Sequence, residues 1–132
     1  MNVLCRLALA IDYPLPIPAD AVEFTFKVDD GEIRALDLQK RLVLLREVTR
    51  KEDDLPRLAT YAVGRVFRED AVLYWDEHSK SVMLSKEITS SATSHELKLF
   101  FETFVDSCDW WLARMESKPV DSTSFPEMVI RP

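Results

Sequence analysis

Residues 22–31 read Val22-Glu23-Phe24-Thr25-Phe26-Lys27-Val28-Asp29-Asp30-Gly31. Apolar residues at 22, 24, 26 and 28 alternate with Glu23, Thr25 and Lys27, which is the period of a half-buried strand. Asp29-Asp30-Gly31 is a tight-turn signal, with Gly31 able to take a positive φ. The chain therefore returns on itself, and a second strand runs roughly from Glu32 to Gln39. Its alternation is imperfect, because Ile33 and Leu36 fall on opposite faces, which allows a bulge. Arg41 to Thr49 reads as a third strand, and Leu42-Val43-Leu44-Leu45 in a row suggests burial on both of its faces.

Upstream, Val3 to Ile11 forms a short helix with Leu4, Leu7 and Ile11 at helical spacing. The run holds a single Arg6 and no small-residue cleavage site before Tyr13-Pro14, so an amphipathic or buried helix fits better than a signal peptide. Three prolines in Tyr13-Pro14-Leu15-Pro16-Ile17-Pro18 forbid a helix and favour an extended arm. The arm suits either a docking segment or a connector packed over the core by Leu15 and Ile17.

Downstream, Lys51-Glu52-Asp53-Asp54 is a solvated loop that supplies an N-cap, with Pro56 suited to a first helical turn. Leu58, Tyr61, Ala62, Arg65 and Val66 trace a second helix ending near Arg68. Gly64 inside it costs about 1 kcal/mol against Ala, which suggests a close approach there, a subunit interface being one candidate. Ala71 to Asp76 and Ser81 to Ile88 form a hairpin around Glu77-His78-Ser79.

The last helix carries Leu97, Phe101, Phe104, Cys108, Trp111 and Met115 on one stripe, widened by Phe100 and Leu112. Thr93 with Glu96 three residues on fits a capping box. So much apolar surface exceeds what one sheet face needs and predicts contact with a second body, such as a partner subunit or a client chain. Trp110 points about 100° away from Trp111, toward another element, a partner or partial solvent.

The expected fold is α+β: an antiparallel sheet of about five strands with helices packed on it, in the order α-β-β-β-α-β-β-α. Residues 1–117 make one domain and 118–132 an irregular tail.

The function classes narrow by chemistry. Seventeen basic residues face twenty-three acidic ones, a formal charge of −6. The basic residues are scattered, and the densest point, Arg46 to Lys51, is interrupted by Glu47, so nucleic acid is a poor partner. Nothing approaches a membrane span of about 20 apolar residues. Cys5 and Cys108 lie far apart in helical apolar patterns and read as buried, reduced thiols of a cytosolic protein. Neither His78 nor His95 has a second ligand at metal spacing. Gly31 and Gly64 are the only glycines, so no phosphate-cradling loop exists. The paired acidic residues Asp29/Asp30, Asp53/Asp54 and Asp76/Glu77 read as solvated turns. The sequence therefore calls for no catalytic residues, no cofactor and no metal, and the rival to a binding role is an enzyme whose site assembles only in three dimensions.

The element order, the leucine-rich start Asn2-Val3-Leu4-Cys5-Arg6-Leu7-Ala8, and above all Ala71-Val72-Leu73-Tyr74-Trp75-Asp76-Glu77-His78-Ser79-Lys80-Ser81-Val82-Met83-Leu84 resemble the class I type III secretion chaperones. The arrangement is nearest to the branch serving gatekeeper proteins. Two features depart from the family: the acidic turn lacks a glycine, and the arm is unusually proline-rich. The resemblance implies a dimeric chaperone of the bacterial cytoplasm without ATPase activity, either a homodimer or a heterodimer with a sister chaperone. It would bind the N-terminal non-globular segment of a secreted effector or gatekeeper protein, partly by adding a strand to a free sheet edge. An anti-activator that sequesters another small protein is the alternative on the same fold. The implied client site comprises Leu4, Leu7, Leu15, Ile17, Phe24 and Phe26, with Leu4 and Leu7 foremost. The dimer is expected on Leu58, Tyr61, Gly64, Val66 and Trp75.

Overall fold

The alternating run forms β1 (Glu23–Val28), which pairs antiparallel with β2 (Gly31–Asp37), Phe26 opposite Ile33 and Phe24 opposite Ala35. β3 (Arg41–Thr49) pairs with β2, β4 is Val72–Asp76, and β5 (Ser81–Thr89) lies between β3 and β4. The sheet is five-stranded and antiparallel, in the order β1-β2-β3-β5-β4. Helix α1 (Val3–Ala10) precedes it and helix α2 (Ser94–Glu116) follows. The structure, a computed structural model, describes residues 2–28, 31–51, 56, 58 and 71–116. Pro56 and Leu58 are helical, as the second helix requires. Tyr61, Gly64, Val66 and the 118–132 tail lie outside the described residues.

One face of the sheet carries the main core. Phe26, Ile33, Leu42, Leu44, Val82 and Leu84 meet Leu4 and Leu7 of α1, and Leu97, Phe101, Phe104, Cys108 and Trp111 of α2. The α2 stripe is wide because the helix packs on both the sheet and α1. The stripe therefore needs no partner subunit or client chain to cover it, contrary to the expectation from its width, because the sheet and α1 of the same chain already do. Trp110 sits half-buried at the margin, its ring edge-on to Trp111 and under the Arg114 guanidinium. Arg6 fastens α1 to the entrance of α2, donating to Ala92 O at 2.8 Å and to Ser90 O.

The other face holds a smaller cluster of Val43, Leu45 and Met83, with Leu36 against it. This explains the broken alternation of β2. Leu36 faces away from the helices in a regular ladder, and the register shift falls instead between Glu47 and Thr49 of β3. Leu42 to Leu45 are buried on both faces, as their run predicts. Gly31 does not take a positive φ. It is small for another reason: a Cβ there would collide with the guanidinium of the buried Arg46. The left-handed turn residues among those described are Asp12 (φ 56°), Gln39 (φ 73°) and Lys80 (φ 55°), so Lys80 does the work that a glycine would do in the acidic turn.

The capping box at α2 is reciprocal: Thr93 N–H donates to Glu96 Oε1 at 2.8 Å, and Glu96 N–H to Thr93 Oγ1 at 3.2 Å. The backbone bond from Thr93, then its side-chain bond, hold the Glu96 carboxyl below the usual glutamate range. A depressed native pKa gives stability that is complete above the unfolded value and lost as pH falls through the native one. Melting temperatures of the wild type and Glu96→Gln are expected to converge on acidification through that window. A gap unaffected by pH would contradict this.

Cys108, 1% exposed between Phe104 and Trp111, fills space. Cys108→Ala is expected to cost about 1 kcal/mol and to leave partner binding intact. Lost binding at unchanged melting temperature would show that the thiol does more.

Candidate partner-binding edge

Among the described residues, β1 has no strand on its outer side and is an edge of the sheet. In an antiparallel ladder, residues alternate between exchanging both backbone bonds with the neighbour and pointing both groups away. Asp37 N–H donates to Val22 O at 2.9 Å, which sets the phase. Phe24, Phe26 and Val28 exchange with β2, so Glu23, Thr25 and Lys27 direct their backbone groups outward. The Lys27 N–H is met by Tyr13 Oη at 3.1 Å.

Tyr13 is a wall of two apolar grooves, one of which takes in Lys27 and Val28 at the end of this edge. One, of about 420 Å³, lies between α1 and the proline arm, lined by Cys5, Ala8, Leu9, Pro14, Leu15 and Ile17. The other, of about 380 Å³, lies between the end of β1 and α2, where Ile11, Val28, Phe101 and Val105 form its apolar surface. Lys27, Lys98, Glu102 and Asp106 supply mixed charge at the second groove. The arm is held in place by Asn2. Its Oδ1 caps α1 by accepting Cys5 N–H at 2.8 Å, while its Nδ2 donates to Ala19 O and Ala21 O, each at 3.0 Å. Three large apolar side chains nearby stand in solvent: Leu9 at 65%, Leu15 at 59% and Val22 at 70% exposed.

The residues named from the sequence divide. Leu15 is exposed on the arm, Ile17 is half-buried in the groove, and Phe24 is half-buried on β1. Leu4, Leu7 and Phe26 are instead 0% exposed and belong to the core. The helical stripe that makes Leu4 and Leu7 conspicuous is the stripe the monomer buries against the sheet and α2. The exposed side chain of α1 is Leu9, off that stripe. Val22, just ahead of β1, does not join Phe24 and Phe26 in the core but is 70% exposed. Cys5 is half-buried and lines the groove, its Sγ 3.6 Å from Ile17 O, whereas Cys108 alone is buried. Tyr13, Phe101 and Val105 were not expected at the site from the sequence, and Val28 only as part of the strand's apolar face, since only the packing of distant elements makes them neighbours. Leu9 had a signal: a large apolar residue opposite the stripe of an amphipathic helix.

The far edge, β4, presents Val72 at 58% and Tyr74 at 39% exposure. Burial, and then the charge of Asp76, raise the Tyr74 pKa. Trp75 is half-buried and donates from Nε1 to Glu77 Oε2 at 2.8 Å. Leu58 is 2% exposed and sits in the core, so it is not a free interface residue. The adjoining turn is tightly bonded. Asp76 is held below its usual range, first by the Ser79 hydroxyl and next by the His78 N–H, and Glu77 by Lys80 and then Trp75. Among the described residues there is no cluster of His, Cys, Asp or Glu that could hold a metal. No described helix is long and apolar enough to cross a membrane.

No protein-family model matches the sequence, and no curated protein matches it in sequence. Solved structures do match in shape. A chain of the HopA1–SchA chaperone–effector complex superposes with a TM-score of 0.67 at 15% identity, over 84% of this chain and 91% of that one. This chain has the class I type III secretion chaperone fold. A chain of the ExsC–ExsE complex matches with a TM-score of 0.63 at 21% identity, over 84% of this chain and 89% of that one. A chain of the ExoT–SpcS complex from Pseudomonas aeruginosa gives 0.58 at 15% identity, over 83% and 93%. A five-stranded sheet with α1 and α2 on one face is thus a shape shared with a chain of each of these three complexes.

Proposed function

We propose that this protein is a non-enzymatic chaperone of type III secretion, acting in the bacterial cytoplasm. It binds the N-terminal, non-globular segment of a secreted effector or gatekeeper protein and keeps it soluble and competent for export. The observation that carries this reading is the β1 edge. Glu23 and Thr25 direct backbone groups outward, Lys27 and Val28 of the same strand line one apolar groove, and Tyr13 joins it to a second, around which Leu9 and Leu15 are exposed. An extended chain pairing there gains main-chain hydrogen bonds from the strand and apolar burial from the grooves. A client held this way stays unfolded, which a narrow export channel demands, and no chemical step is required.

The test is co-expression with N-terminal segments of secreted proteins encoded in the same genome, followed by co-purification. Leu9→Glu with Leu15→Glu is expected to abolish capture while shifting the melting temperature by only a few degrees, since exposed substitutions cost little. Leu99→Glu, at an exposed side chain of α2 that lines neither groove, is expected to leave capture intact. Capture that survives the paired exchange would move the site elsewhere. Capture of a small regulatory protein in place of a secreted one would make this chain an anti-activator.

The proposal includes dimerisation through the second helix and β4, as a homodimer or with a sister chaperone. The apolar exposure of Val72 and Tyr74 beside Trp75 supports that placement. Light scattering that gives a monomer at tens of micromolar would exclude the homodimer.

A further inference from the structure

We propose that Tyr13 is a built-in stop on the β1 edge, which confines a partner strand to the stretch through Glu23 and Thr25. The proposal rests on the edge-strand reading above and specifies its register. Three observations support it.

The first is that the backbone of Tyr13 is locked by the end of α1. Asp12 stands in the left-handed region at φ 56°. Asp12 N–H donates to Leu9 O at 3.2 Å and Tyr13 N–H to Ala8 O at 2.9 Å. These are the two bonds of a Schellman motif, with Asp12 in the place usually given to glycine and Tyr13 immediately after it. The second is that the ring is wedged rather than free. It lies edge-on to Phe24 at 5.8 Å and to Phe26 at 4.9 Å between centroids. The third is that the hydroxyl, so positioned, accepts the Lys27 N–H at 3.1 Å.

A strand added to β1 would run about 4.8 Å from it and would need that same N–H. Phenol and partner backbone cannot both hold it. Among the described residues, none meets the outward N–H of Glu23 or Thr25, so pairing proceeds along them and ends before Lys27. Open edges invite unwanted pairing, and capping one end of the edge shortens what is on offer.

The test uses a tethered probe, because Asn2 Nδ2 lies 3.0 Å from Ala21 O and the N-terminus therefore starts beside β1. A strand of alternating valine and threonine, about eight residues long, is joined ahead of Met1 by a Gly-Ser linker of about six, for a millimolar effective concentration. It can lie antiparallel to β1, and amide hydrogen exchange is read with and without it.

With Tyr13 present, the probe is expected to slow exchange at Glu23 and Thr25 about tenfold and to leave Lys27 unchanged. In the chain without the probe, Tyr13→Phe keeps the ring and is expected to speed Lys27 exchange about tenfold. Adding the probe to that variant should slow Lys27 again. If the probe slows Lys27 along with Thr25 while Tyr13 is intact, the stop is overturned. It is equally overturned if Tyr13→Phe leaves Lys27 exchange unchanged or the probe fails to slow Lys27 in that variant. If Glu23 and Thr25 slow in neither chain, the edge-strand reading fails, and the stop with it.

Discussion

Exchanging Leu4 and Leu7 together for glutamate is expected to abolish folding. Both side chains are 0% exposed and contribute to the cluster joining α1, α2 and the sheet. Truncating one buried leucine costs about 2–5 kcal/mol. Burying a carboxylate in its place adds desolvation that nothing apolar nearby can offset. Two such changes match or exceed the roughly 5–15 kcal/mol that stabilises an ordinary domain. Thermal unfolding followed by circular dichroism should show no cooperative transition. A double variant that melts within a few degrees of the wild type would mean that α1 does not pack as described. The contrast is Leu9, on the same helix but 65% exposed, where glutamate should change binding and barely change stability.

The second large effect is expected on binding. Thr25→Pro removes an N–H that points away from β2, so the ladder inside the sheet keeps all its bonds. Phe24, which precedes it, is already extended, as a residue before proline must be. The fold should therefore survive with a small drop in melting temperature. For a partner strand the change is severe, because the donor is gone and the ring projects into the space the partner would fill. A loss of about 2 kcal/mol, roughly thirtyfold in Kd, is expected for a captured segment measured by calorimetry. Undiminished affinity would show that the partner uses the grooves without pairing to β1.

These two expectations mark how far the sequence reaches. Periodicity is a local property, and it reports local geometry well. The alternation of residues 22–28, the doubly buried run of β3 and the capped stripe of α2 are all legible because each element's own pattern declares which side avoids water. Shape comparison supports the same α+β reading, although sequence comparison finds no relative. The expected client residues were less legible. A stripe such as Leu4 and Leu7 says that a face is buried but not by what, and the monomer's own sheet and α2 are the nearest takers. The same ambiguity made the width of the α2 stripe look like a sign of a partner.

The sequence by itself determined the elements, their order, the turn positions and the absence of any local catalytic motif, because all of these follow from neighbours along the chain. Only the tertiary structure decided that β5 lies between β3 and β4, leaving β1 and β4 as the edges among the described strands. It alone brought Tyr13 to the amide of Lys27, turned Leu9 and Leu15 outward around a groove, and set the small Gly31 against Arg46. Each of these depends on contacts between residues far apart in the chain, which composition and spacing do not encode. A helix face and a strand edge become a binding surface only when the rest of the fold leaves them uncovered.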